Sequence, residues 1–196
     1  VYMKGVESTR LSIKRRGMTG GHHSAREKEE RFAKWRNELF GELIWALGAM
    51  AAERVFYGQT TNGVGGDVQS ATAQAAWMVG ASGMAPETPE LPGWWVDEAA
   101  REAAEEKIMK RFERIGTQIM NRTSGGPLTA DPISGVLNDP SKRRMAAQLL
   151  GQAYMAAHLL VLHNKEATER VADSPETLEY EAELDRHRRE FLIARV

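Results

Sequence analysis

Apolar residues recur three or four positions apart along most of this 196-residue chain. Such spacing places them on one face of an α-helix, which packs that face against the rest of the protein. The pattern predicts helices over residues 25–57, 67–83, 95–121, 141–164 and 175–194. A chain of this length can bury one hydrophobic core. We therefore expect a mainly α-helical fold and a single domain over the whole chain.

Three stretches interrupt the helical pattern. Residues 9–15 alternate polar and apolar side chains, which predicts one short N-terminal strand. Three prolines make residues 85–93 an extended connector, because proline lacks an amide donor and disfavours helix at the residue before it. Residues 123–140 carry three prolines and three glycines and are predicted to be a loop or lid. The predicted parts of the domain are a strand and loop (1–24), core helices (25–84), a connector, helix and loop elaboration (85–140) and C-terminal helices (141–196).

Composition narrows the possible chemistry. The 26 basic and 27 acidic side chains leave a net charge of −1, so we expect no nucleic-acid partner. The chain has no cysteine, which leaves His, Asp and Glu as its strong metal ligands. Its longest apolar runs, such as residues 156–162, are shorter than the ~18 residues that cross a bilayer. We therefore expect a soluble, cytoplasmic chain.

The histidines do not form a recognisable metal site. A zinc peptidase usually carries HExxH on a helix, where two imidazoles one turn apart face the metal and the glutamate acts as general base. This chain lacks the motif, and no two of its five histidines lie four positions apart. Their predicted settings are a loop for His22 and His23, core or boundary positions for His158 and His163, and a solvated face for His187.

Three segments follow one another in an order that is typical of a known family. They are Arg16-Gly17-Met18-Thr19-Gly20-Gly21, Leu47-Gly48-Ala49-Met50-Ala51-Ala52-Glu53-Arg54-Val55-Phe56-Tyr57-Gly58, and Thr60-Thr61-Asn62-Gly63-Val64-Gly65-Gly66-Asp67-Val68-Gln69-Ser70-Ala71-Thr72. Together they resemble the peptidase domain of the FtsH family of membrane-anchored AAA+ zinc proteases. The similarity covers residues 16–84 closely and about 145–185 loosely. Residues 92–140 are expected to be an elaboration of this chain.

The resemblance implies a role for Asp67, which falls on the family's third zinc ligand. On its position alone, Asp67 is most simply a helix N-cap, whose carboxylate accepts hydrogen bonds from first-turn amides. The chain departs from the family pattern at Gly66, where the family has Asn, and at Arg54, where it has a second Glu. The family's HExxH would fall just upstream of Val1, so either it precedes this chain or the chain is a degenerate relative without catalysis. No catalytic residue is therefore assigned within this chain, and Asp67 is its one predicted metal ligand.

The resemblance implies a zinc-dependent metalloendopeptidase domain that degrades proteins with metal-activated water. It further implies polypeptide substrates, a homo-oligomeric ring, an AAA+ ATPase module in cis or in trans, and any membrane association through a segment outside this chain. A second hypothesis is a noncatalytic helical scaffold or partner-binding domain that kept the peptidase fold. Zinc content distinguishes the two. A nucleic-acid-binding helical domain is disfavoured by the balanced charge.

Overall fold

Seven α-helices and a two-stranded antiparallel sheet make up the part of the chain that the computed structural model describes, residues 6–12, 22–28, 32–91, 97–120 and 132–173. The elements are β1 Val6–Ser12, β2 His22–Glu27, α1 Arg36–Ala46, α2 Gly48–Tyr57, a 3-10 turn Asn62–Val64, α3 Gly65–Gly80, α4 Glu98–Ile119, α5 Pro132–Asn138, α6 Pro140–His163 and α7 Lys165–Asp173. The mainly helical fold class is confirmed. Two compact units are distinguished, residues 39–158 and residues 1–38 with 159–196.

The N-terminal strand has a partner that its sequence did not reveal. β1 pairs antiparallel with β2, from Val6 opposite Glu27 to Ser12 opposite His22, with one shift of register near Arg10. The predicted loop setting of His22 and His23 is therefore wrong, because both residues begin β2. Residues 13–15, the end of the predicted strand, lie outside the described residues.

The predicted long helix over residues 25–57 is two helices. α1 starts only after Trp35, whose backbone N–H donates to the carboxylate of Glu38 at 2.8 Å, as in one half of a capping box. Between α1 and α2, Leu47 adopts φ −88° and ψ 0°. The hydrogen-bond ladder continues across it, from Leu47 N–H to the carbonyl of Leu43 and from Ala51 N–H to that of Leu47. The junction is thus a kink that keeps Leu47 fully buried.

The other predicted boundaries divide into those the structure confirms and those it corrects. α2 stops at Gly58, which takes the left-handed conformation at φ 70°. α3, α4 and α6 lie within about three residues of their predicted limits, and the connector is neither helix nor strand over residues 83–91. The loop or lid predicted over 123–140 contains α5 and the start of α6, and α7 was not predicted. Residues 121–131 and the predicted helix 175–194 lie outside the described residues.

The core of unit 39–158 is built largely from small side chains, which lets helices approach closely. A Cβ added at Gly116 of α4 would lie 1.7 Å from the carbonyl oxygen of Ala147 on α6, and one added at Gly151 of α6 would lie 2.0 Å from that of Phe112 on α4. The two helices therefore cross with backbone against backbone. Gly48 of α2 differs from these two glycines, because an added Cβ there would meet nothing within 4 Å.

Helix α6 is longer and more apolar than the short runs considered from sequence. Among the described residues it is one helix that meets the length and composition expected of a membrane span, with a mean hydropathy of 1.3 over its best window. Core helices of soluble proteins meet the same criterion. Seven of its residues between Ala146 and Ala157 are buried within the protein. Its apolar character is accounted for in part by this packing.

Candidate metal-ligand turn

Asp67 lies in the first turn of α3, as its third residue. The N-cap of that helix is Val64, which has no side chain able to cap, so the interpretation of Asp67 as the N-cap is wrong by three positions. Its side chain is exposed, yet partial burial raises the pKa of the carboxyl above its ordinary value of 3.8, because desolvation disfavours the charged form. The structure thus presents a carboxylate at the surface, near the amides of a helix N-terminus.

A pair of short hydrogen bonds holds the segment that leads to Asp67. Glu53 of α2 accepts from the backbone N–H of Thr61 with one carboxylate oxygen and from the Thr61 hydroxyl with the other, each at 2.7 Å. Thr61 Oγ1 in turn accepts from Gly63 N–H at 3.2 Å and so caps the 3-10 turn. This turn runs directly into α3. Glu53 therefore connects α2 to the start of the helix that carries Asp67, and we call this arrangement the Glu53–Thr61 clasp.

The opposite face of α3 is anchored in the core. Its buried side chains are Ala71, Thr72, Ala75, Ala76 and Met78. The Thr72 hydroxyl donates to the carbonyl of Val68 at 2.8 Å, so this buried polar group is satisfied. Gln74 donates from its side-chain amide to the carbonyl of Leu39 at 3.0 Å and to the carboxylate of Glu42 at 2.9 Å, both on α1. With the clasp at its start and these contacts along its length, α3 holds Asp67 in a defined position.

The two departures from the family pattern have different local settings. Arg54 donates from Nη1 to the carbonyl of Gly58 at 3.1 Å, and a cation near a helix C-terminus is also favoured by the helix dipole. Arg54 therefore has a structural role in ending α2. Gly66, directly before Asp67, is exposed, and an added Cβ would meet nothing within 4 Å. The first carbon of a side chain would therefore lie in open space at this position.

The described histidines each have a local setting of their own. His23 hydrogen-bonds with Ser8 across the β1–β2 pair, and burial lowers the pKa of its imidazole. His158 packs against the ring of Tyr154 at a centroid distance of 6.1 Å, and its Nδ1 is buried without a hydrogen-bond partner within the described chain. His163 is exposed at the end of α6. His187 and the side chain of His22 lie outside the described residues.

The donor set of the described residues is incomplete for zinc. A zinc site takes three or four His, Asp, Glu or Cys ligands, and no group of three such side chains occurs in the described part of the chain. Asp67 is suitable as a single carboxylate ligand, since it is exposed and lies on an anchored helix. The described residues fit one position of such a site and do not complete it, so no reaction step can be derived through a metal here.

The sequence of residues 2–121 matches the family described as Peptidase family M41. The chain belongs to this family. Among its relatives, proteins described as ATP-dependent zinc metalloprotease FtsH are 38% identical over 77 residues in Corynebacterium glutamicum, 41% over 78 in Sulfurovum and 36% over 75 in Mycobacterium tuberculosis. These alignments cover 39%, 39% and 38% of this chain but 9%, 12% and 10% of the relatives. The chain thus aligns with about a tenth of the length of those proteins.

The M41 match confirms the predicted family resemblance, and the matched residues extend through α4. The clasp, in contrast, was not predicted. Its signal was present, because Thr61 precedes a Gly-containing turn and Glu53 lies in the helix before it. A threonine in this position is a common cap. The sequence did not indicate, however, that Thr61 would also donate two hydrogen bonds to the carboxylate of Glu53 in the preceding helix.

Proposed function

We propose that this chain is the peptidase-type domain of an ATP-dependent zinc metalloendopeptidase, and that Asp67 is its carboxylate zinc ligand. The proposal is supported by membership of the M41 family together with the position of Asp67 on an anchored helix, directly after the clasp. Histidine ligands would come from outside the set of donors described here. The chain itself supplies the carboxylate and the framework that holds it.

Zinc with an open coordination position lowers the pKa of a bound water toward ~7, which makes a nucleophile for peptide hydrolysis available at neutral pH. The role of this chain is to hold the Asp67 carboxylate in place. Because partial burial raises the pKa of Asp67, its proton competes with a metal at a higher pH than for a fully solvated aspartate. The clasp fixes the backbone on which the carboxylate lies.

The proposed partners follow from the same family. The relatives are described as ATP-dependent, so we propose polypeptide substrates delivered by an AAA+ ATPase module in cis or in trans. We also propose a homo-oligomeric ring in the cytoplasm, with any membrane attachment through a segment outside this chain. A nucleic-acid partner is not proposed, since the net charge is −1.

The test is the zinc content of the full-length protein that contains this chain, measured by mass spectrometry of the purified protein. We expect about one zinc per chain, lost in Asp67→Ala. The matched control is Asp97→Ala, because Asp97 also lies at a helix start but only caps α4, accepting from Ala99 N–H at 3.0 Å. The control should keep its zinc. Zinc that survives Asp67→Ala would show that Asp67 is not a ligand.

The alternative is a noncatalytic scaffold that kept the M41 fold. The observation that favours it is Arg54, which replaces a family glutamate and serves the end of α2. Under this alternative the full-length protein contains no stoichiometric zinc, and Asp67→Ala changes neither its metal content nor its partner binding. The zinc measurement therefore separates the two functions.

A further inference from the structure

Helices α4 and α6 line an open surface cleft whose charge differs from that of the chain. Its volume is about 510 Å³, within the range of ligand sites. The lining residues are Lys110, Glu113, Arg114, Thr117, Gln118 and Arg144. Three cations and one carboxylate give a formal excess of two positive charges, whereas the whole chain carries −1. The positive charge is thus concentrated locally.

The cations of the cleft are unequally paired. Lys110 donates to Glu106 at 2.7 Å, and Arg144 Nε lies 3.9 Å from the Glu113 carboxylate, at the limit of an ion pair. Arg114 is paired with no carboxylate within the described chain. Exposed pairs of this kind are weak, so the guanidinium groups stay available to an incoming anion. Arginine binds carboxylates with two parallel hydrogen bonds.

The spacing of the lining residues arranges their donors on one helix face. Lys110, Arg114, Thr117 and Gln118 follow one another at intervals of four, three and one along α4. Thr117 and Gln118 add neutral groups that both donate and accept, as peptide backbone requires. None of the six lining side chains is aromatic, so the cleft offers no stacking platform for nucleobases.

The two helices that line the cleft are in backbone contact beside it. Gly116 lies between Arg114 and Thr117 in sequence and contacts the backbone of Ala147, one helical turn after Arg144. Because the two backbones touch here, α4 and α6 cannot shift toward each other. A fixed spacing of the two helices reduces the backbone part of the ordering cost of binding.

We propose that this cleft binds an acidic peptide segment, whose carboxylates pair with Arg114 and Arg144 while Thr117 and Gln118 bond its backbone. The inference does not depend on the zinc role of Asp67. Glu113 is the element that limits affinity, since its carboxylate repels those of the peptide and competes for Arg144.

The test is fluorescence anisotropy with the intact chain and a labelled peptide of about eight residues that alternates Asp and Gly; the neutral reference replaces each Asp with Asn. We expect the acidic peptide to bind at least ~10-fold more tightly than the reference at about 50 mM salt, and the difference to shrink at about 300 mM. Equal binding of the two peptides would overturn the proposal.

Variants distinguish the cleft from general charge attraction. Arg114→Gln is expected to weaken binding of the acidic peptide ~10-fold, whereas Arg111→Gln, an exposed arginine of α4 outside the cleft, should change it less than ~2-fold. Glu113→Gln should tighten binding. An equal loss in Arg114→Gln and Arg111→Gln, or a loss in Glu113→Gln, would contradict the cleft as the site.

A competition arm separates the ligand classes. The peptide proposal would be overturned if a single-stranded oligonucleotide or inorganic phosphate displaced the labelled peptide at a lower concentration than the unlabelled acidic peptide does. The cleft would then be assigned to phosphate groups. Circular dichroism at the same salt concentrations checks that each variant is folded.

Discussion

The turn that carries Asp67 and the crossing of α4 with α6 are held by opposite means. The turn is exposed, and its shape depends on the two 2.7 Å hydrogen bonds between Glu53 and Thr61. The crossing is buried, and it depends on the absence of side chains at Gly116 and Gly151. A solvated hydrogen bond contributes modestly to the free energy of unfolding, whereas close packing responds more strongly to one added carbon. Stability should therefore depend on the crossing, and metal binding on the turn.

The largest effect is expected from Gly116→Ala. The new Cβ would lie 1.7 Å from the Ala147 carbonyl oxygen, so the helices must separate. We expect a loss of about 3 kcal/mol in the free energy of unfolding, measured by urea denaturation. Gly48→Ala is the control, since it has open space and should gain about 0.5 kcal/mol from helix propensity. Similar changes in both variants would mean that the crossing is looser than described.

An intermediate effect is expected from Glu53→Ala, which removes both contacts to Thr61. We expect a loss of about 1–2 kcal/mol in the free energy of unfolding, together with faster amide hydrogen exchange at Thr61. In a double-mutant cycle with Thr61→Ala, the coupling should be about 1 kcal/mol. Glu106→Gln, which breaks an exposed pair with Lys110, should leave both measurements almost unchanged. Zero coupling would show that the clasp does not form in solution.

The smallest effect on stability is expected from Asp67→Asn, although it should have the largest effect on zinc. The folded-state pKa of Asp67 is raised, so ionisation is less favourable in the folded chain than in the unfolded chain. This penalty is fully present above the folded pKa and disappears below the unfolded pKa, whose ordinary value is 3.8. In metal-free protein, Asp67→Asn should therefore leave the unfolding temperature unchanged or slightly higher at pH 7, and any gain should vanish in acid. A clear loss of stability at pH 7 would make Asp67 a structural residue.

Several elements could be predicted because their signals are local. The apolar periodicity of α3, α4 and α6 and the stop at Gly58 follow from nearby residues alone. β2 could not be predicted in this way, because its sequence His-His-Ser-Ala-Arg-Glu shows no apolar alternation and depends on pairing with β1. The kink at Leu47 was also hidden, since the apolar spacing continues through it.

The sequence by itself determined the helical fold class, the M41 family pattern and Asp67 as the candidate ligand. Each of these depends on residues that lie close together along the chain. Only the tertiary structure decided which glycines matter. Gly48 and Gly116 both lie in helices, yet one faces open space and the other the backbone of α6. The same holds for the Glu53–Thr61 clasp and for the cationic cleft, which joins Arg114 to Arg144. These contacts join residues that are distant in sequence, and the packing of the helices decides which of those residues meet.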